Sequence, residues 1–202
     1  MTDYEKYSLL IGIGSVAATF SAVVVAIWGE RIRQRWASPK LRISLDEPSL
    51  TTTNDGRKGW YYRLCVKNER QSSPAVNVRV LLTRVWKKGP DGSWQEQRFS
   101  GPTQVTWQWP ELMPLYATVG PEERATFGFL LQDSQGFELR PYSRPNNLQG
   151  IVVKGEQTRF EFKAVSDAVE SKAIVVEVVW DGIWVDSPAE MRKHLIVKQV
   201  FT

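Results

Sequence analysis

An all-β domain, folded as an antiparallel β-sandwich and preceded by a single membrane-spanning α-helix, is the fold class that this sequence predicts. Three observations carry the prediction. Residues 8–28, SLLIGIGSVAATFSAVVVAIW, run for twenty-one positions without a charge. From Leu41 onward the apolar residues recur with a period of two, the signature of half-buried strands. Between residues 43 and 202 no long amphipathic helical pattern interrupts them, so the strands must pack on one another.

At about 1.5 Å per residue the uncharged run makes a helix of roughly 31 Å, which matches a hydrocarbon core of about 30 Å. A cleaved signal peptide fits poorly. The apolar run is too long for one, its leading residues Asp3, Glu5 and Lys6 are mixed in charge, and the basic stretch ERIRQRW comes after it as a stop-transfer pattern. The chain therefore divides into a tail (1–7), a transmembrane helix (8–28), a basic connector (29–40) and a β-sandwich domain (41–202). Lys6 is the sole Lys or Arg before the span, whereas Arg31, Arg33, Arg35, Lys40 and Arg42 come closely after it. The positive flank stays in the cytoplasm, so the expected orientation is N-terminus out and soluble domain in. Arg31, Arg33 and Arg35 are placed to contact lipid headgroups. Gly14, Ala18, Ala22 and Ala26 recur every four residues on one helix face, a small-residue seam that marks self-association into a homo-oligomer.

In LRISLDEP, Leu41, Ile43 and Leu45 define a first short strand that turns at Pro48. A polar loop with an Asn-Asp-Gly turn signal spans residues 49–58. WYYRLCVKN then alternates Trp60, Tyr62, Leu64 and Val66 against Tyr61, Arg63, Cys65 and Lys67, giving one core face. AVNVRVLLTRVW places Val76, Val78, Val80 and Leu82 on one face and ends at the turn Gly89-Pro90-Asp91-Gly92. SWQEQRF and QVTWQW are short strand candidates separated by Ser100-Gly101-Pro102. ERATFGFLL alternates through Ala125, Phe127, Phe129 and Leu131, and residues 132–149, with Pro141 and Pro145, read as a long loop that is either a folded surface excursion or mobile. RFEFKA, SKAIVVEVVW and HLIVKQV supply the last three strands. Asp181-Gly182 is a hairpin cue between IVVEVVW and IWV, and residues 187–192, SPAEMR, suit one helical turn.

Some eight or nine strands at spacings of about ten to fifteen residues describe an open immunoglobulin-like sandwich, with a closed barrel as the alternative. The run ATFSAVVVAIWGERIRQRWASPKLRISL, the strand pair YYRLCVKNERQSSPAVNVRVLL and the late VVWDGIW resemble small bacterial proteins that carry one N-terminal transmembrane anchor and a cytoplasmic immunoglobulin-like β-sandwich domain. The likeness covers most of the chain and implies a single-pass protein of the bacterial inner membrane. It carries over no catalytic residue.

Composition excludes several function classes. The net charge of +4 is concentrated at the N-terminus: residues 1–42 hold six Lys/Arg and three Asp/Glu, leaving twenty basic and nineteen acidic residues for 43–202. A near-neutral domain lacks the footprint of a nucleic-acid binder. Cys65 is the sole cysteine, so the chain forms no internal disulfide, in keeping with a reducing compartment. His194 is the sole histidine, and a metal site would have to be built almost wholly from carboxylates. Gly12-Ile13-Gly14 lies inside the span without the strand–helix context of a nucleotide loop. A Cys65–His194 nucleophile pair has no feature to lower the thiol pKa. No catalytic residue, cofactor or metal is expected.

What exceeds background is tryptophan, nine in 202 residues. Trp60 and Trp180 fall in core registers, whereas Trp94, Trp107, Trp109 and Trp184 sit in or beside Gly/Pro-rich turns. Such rings plug the open ends of a sandwich or, where exposed, line a contact surface, for which Trp94, Trp107 and Trp109 are the candidates. The expected function is a non-enzymatic, membrane-anchored module that binds a protein or small-ligand partner. The alternative is an effector of a bacterial immunity system whose helices assemble and perturb the bilayer.

Overall fold

The computed structural model describes residues 19–23, 25, 28–29, 38–70, 73–109, 111 and 115–200. The chain forms two compact units, residues 1–38 and 39–202. In the first, the described residues are helical through 19–23, and Ala22 is exposed there. Gly14, Ala18, Ala26, Arg31, Arg33 and Arg35 lie outside the described residues, so the span, its seam and the headgroup contacts are not placed. Among the described residues no helix is long and apolar enough to cross a membrane.

The second unit is all-β, with fourteen strands among the described residues, arranged in two antiparallel sheets. The first sheet runs β1 (Leu41–Leu45), β3 (Lys58–Asn68), β9 (Glu122–Leu131), β10 (Gly136–Leu139), β11 (Ile151–Val153). Beside this path β2 (Ser49–Thr52) pairs with β3, and β7 (Thr106–Trp107) with β9. The second runs β14 (Leu195–Val200), β13 (Ile174–Trp180), β12 (Gln157–Val165), β4 (Ala75–Lys88), β5 (Trp94–Gln97), while β6 (Thr103–Gln104) and β8 (Ala117–Val119) also pair with β4. Inward residues of both sheets form one core. Phe127 on β9 meets Phe162 on β12 at a centroid distance of 5.1 Å, and Phe137 on β10 lies 5.8 Å from Phe127.

Simple alternation holds for β3, where Trp60, Tyr62, Leu64 and Val66 are all buried. It fails in the two longest partner strands because each carries a bulge. On β9, Gly128 faces Tyr62 but Thr126 faces Arg63, so Phe127 is an extra residue and the phase flips behind it. Leu130 is therefore buried, and Phe129, predicted inward, lies on the outer face stacked on Tyr61 at 6.0 Å. On β4, Leu82 pairs with Phe162 and Arg84 with Glu161, which makes Thr83 the extra residue and turns Val85 inward. The Thr83 hydroxyl donates 2.6 Å to the Glu161 carboxylate and so holds the irregularity. A second bulge on β4, between Ala75 and Val78, rests on the left-handed Asn77 (φ 55°) and turns Val76, predicted inward, out to solvent.

Two other expectations are corrected and one is resolved. The polar loop 49–58 begins as strand β2, whose Thr51 and Thr52 pair with Gly59 and Lys58. Residues 132–149, read as one long loop, contain strand β10, and Leu148 is buried, which is the folded excursion of the two alternatives. Asp181-Gly182 does not close a hairpin with IWV. Trp60 Nε1–H donates to the Val185 carbonyl at 3.0 Å and Lys58 pairs with Asp186, which ties this segment to β3 before helix α1 (Pro188–His194) leads into β14. That helix extends the predicted single turn, with Pro188 opening it and Met191 buried beneath.

Candidate partner-binding surface

The described residues 103–109 and 115–119 touch both sheets. β6 pairs with β4, the chain crosses at Val105, β7 pairs with β9, and β8 returns to β4. The crossing is fixed by the Val105 N–H donating 2.9 Å to the Val80 carbonyl and by a bridge from Val105 to Pro141. Alternation along this strap sends Val105, Trp107, Ala117 and Val119 into the core. The outward positions are left apolar and open: Trp109 is 56%, Tyr116 50% and Leu115 38% exposed, and the neighbouring Tyr142 is 52% exposed. Gln104 joins two of these, Leu115 and Tyr142. Its carbonyl accepts from the Tyr142 N–H at 2.7 Å, and its Nε2 donates to the Leu115 carbonyl. Thr103 Oγ1 donates 2.8 Å to the Ser143 carbonyl, and the Arg79 guanidinium lies 5.5 Å from the centre of the Tyr116 ring.

The three predicted contact tryptophans therefore separate. Trp107 is 1% exposed and fills the core, which corrects its assignment to the surface. Trp94 lies on the outer face of the second sheet under two cations, Arg159 at 3.9 Å and Lys88 at 6.0 Å from the ring centre, so its exposed face is already occupied. Of the three, Trp109 remains open. Tyr116 was legible from the LYATV alternation, which turns it opposite Ala117, whereas Tyr142 sits in a loop without periodicity and was invisible in the sequence.

Beside Trp94 runs a charged ladder. Glu177 on β13 receives Arg159 at 2.8 Å and Lys198 at 3.2 Å. Burial pushes its carboxyl up, but the two cations outweigh that and hold it below the usual carboxylate value. This is an arrangement for holding strands β12, β13 and β14 in register, with no open position for a substrate.

Groups with chemical reactivity are engaged elsewhere. Burial, then the neighbouring Glu122 carboxylate, push the Cys65 thiol up, and Cys65 Sγ lies 3.8 Å from Glu122 Oε2. His194 Nδ1 lies 2.8 Å from Asp181 Oδ2, and the Asp181 N–H donates 3.1 Å to the His194 carbonyl, so the pair clasps the ends of β13 and α1. Among the described residues no group of three His, Cys, Asp or Glu side chains is gathered as a metal site. Two open clefts flank β1. One, of about 330 Å³, is walled by Leu45, Pro48, Tyr62 and Arg192, and the other, of about 410 Å³, by Leu41, Ile43, Lys172 and Ile174.

Fold and surface define the class: an all-β, two-sheet sandwich-like domain with an exposed aromatic edge. No protein-family model and no curated protein matches the chain.

Proposed function

We propose that the chain is a single-pass membrane protein, N-terminus out, whose cytoplasmic domain is a non-enzymatic binding module of immunoglobulin-like type. The membrane part rests on the uncharged run 8–28 and its basic flank. The immunoglobulin-like reading is supported by strand order. β1, β3, β9 and β7 make one sheet and β13, β12, β4 and β5 the other, and the chain passes between them after β3, along the strap, and again after β11. Crossings of this kind between two antiparallel sheets suit a Greek-key sandwich to which β10, β11 and β14 have been added.

The observation that carries the binding role is the exposure of Leu115, Tyr116 and Tyr142 around Gln104, with Trp109 exposed beyond β7. Single exposed apolar residues are ordinary, but Leu115 and Tyr142 are tied to one residue, Gln104, and Tyr116 follows Leu115 directly, which supports a shared contact surface. The test is expression of the full chain at graded levels with a membrane-potential dye, together with recovery of bound protein from wild type and from a Tyr116→Ser/Tyr142→Ser variant. A binding module leaves the potential unchanged and retains a partner that the double variant loses. Depolarisation that scales with expression and disappears in Gly14→Leu would instead establish the bilayer-perturbing reading, in which the small-residue seam assembles the helices.

A further inference from the structure

We propose that the cleft between β1 and β14 that Tyr62 floors is a binding site for a small monocarboxylic acid with an apolar body, its carboxylate received by Arg192 and by the Tyr62 hydroxyl. The site is separate from the aromatic edge and does not depend on it.

The cleft, of about 330 Å³, lies where the two sheets bring their end strands together: among the described residues β1 pairs only with β3, and β14 only with β13. Leu45 and Pro48 wall it from the first sheet, and Leu195, Ile196 and Val197 from the second. Its volume is at the lower end for ligand sites, so the occupant is small, and its walls suit an apolar body.

Tyr62 makes the cleft more than an apolar gap. The side chain is 3% exposed, its ring meets Phe137 edge-on at 5.6 Å, and its hydroxyl has no hydrogen-bond partner among the described residues. A buried hydroxyl left in this state is costly, and an acceptor brought by a ligand would satisfy it. Arg63 Nε, Arg79 Nε and Thr158 Oγ1 are also buried without a partner among the described residues, but none of those side chains lines either cleft beside β1. Burial pushes the Tyr62 hydroxyl up, with the Arg192 charge opposing, so it stays protonated and can donate at neutral pH.

Arg192 supplies the charge. Its neighbours on α1 are committed, Lys193 to Glu190 at 2.8 Å and His194 to Asp181 at 2.8 Å. Among the described residues Arg192 pairs with Glu47 alone, at 3.6 Å, and Glu47 is 85% exposed, so a ligand carboxylate displaces that pair at little cost. Asp46, the other acid lining the cleft, is held by Arg124 at 2.7 Å. The buried Met191 anchors α1 beside the cleft, which limits the ordering that binding requires. One guanidinium with Glu47 and Asp46 close by suits a single negative charge better than a phosphate dianion, and an amine would face the like charge of Arg192.

The full chain is prepared in detergent with isotope-labelled tyrosine rings, and the Tyr62 NMR signal is identified as the one missing from Tyr62→Phe. It is titrated with hydrocinnamate, with the neutral hydrocinnamyl alcohol and with inorganic phosphate. Hydrocinnamate is expected to shift the Tyr62 signal saturably and more tightly than the alcohol, and Arg192→Met should weaken it by roughly tenfold, as loss of a charge-assisted hydrogen bond implies. Tyr62→Phe should leave the thermal melt in place, because the hydroxyl has no bond to lose among the described residues; a lowered melt would show it already bonded and overturn the proposal. An unmoved Tyr62 signal, equal responses to acid and alcohol, or unchanged affinity in Arg192→Met would overturn the site, and a tighter response to phosphate would overturn the chemistry assigned to its ligand. Tyr116→Ser/Tyr142→Ser should bind hydrocinnamate as wild type does, so failure here leaves the aromatic edge standing, and loss of the response in that variant would overturn the placement in this cleft.

Discussion

Phe127 and Phe129 stand two residues apart on one alternating strand, and on periodicity alone both belong to the core. The bulge at Phe127 separates them, and the separation has a measurable size. Phe127 is fully buried and touches aromatic rings of both sheets, Phe137 at 5.8 Å and Phe162 at 5.1 Å. Phe127→Ala removes a whole buried ring and leaves a cavity between the sheets, at a cost of about 3–5 kcal/mol, with the loss of ring–ring contacts included at about 0.5–1.5 kcal/mol each. Phe129 lies on the outer face with Tyr61 stacked on it at 6.0 Å, so Phe129→Ala should cost about 1 kcal/mol. Against a total stability of about 5–15 kcal/mol, the first change is severe and the second mild. Urea unfolding of both variants in mild detergent, monitored by tryptophan fluorescence, measures the difference. Losses that agree within about 1 kcal/mol would refute the bulge and with it the inward and outward assignments downstream of residue 127.

Packing, charge and topology each supply a further test. A Cβ at Gly128 would lie 2.2 Å from Phe137 Cζ and 2.9 Å from the Glu138 carbonyl oxygen, so Gly128→Ala should destabilise by about 1–3 kcal/mol, while Gly120→Ala, with open space around it, should be neutral in the same melt. Glu177 has a folded pKa below the reference value of 4.5, so the stability it contributes is fully present above that value and is lost as pH falls through the lower folded one. Unfolding measured from pH 7 down to about pH 3 should therefore show a shallower acid decline in Glu177→Gln than in wild type. Arg159→Met, which leaves the buried carboxylate with Lys198 alone, should cost about 1–2 kcal/mol at neutral pH. An alkaline phosphatase fusion at Thr202 should be inactive, and activity there would reverse the orientation read from the basic flank.

The sequence by itself determined the all-β class, the sites of most strands and the inward face of β3, because an alternating pattern in a half-buried strand is set by local geometry. It also determined the separation of the uncharged run 8–28 from the alternating remainder of the chain, and the near-neutrality of residues 43–202. Tertiary structure decided the rest. Where Thr83, Phe127 and the Ala75–Val78 step add residues to one strand of a pair, the face on which Val76, Val85, Phe129 and Leu130 lie depends on the partner strand, and no window of one strand contains that information. The candidate surface divides the same way. Trp94, Trp107 and Trp109 are chemically alike and all near turns, but Trp107 enters the core because β7 pairs with β9, Trp94 is covered by an arginine from β12, and Trp109 stays more than half exposed. Exposure of a large side chain is a property of what packs on it from distant parts of the chain. The aromatic edge, to which a separate loop brings Tyr142 beside Gln104, therefore became visible only once the two sheets were assembled.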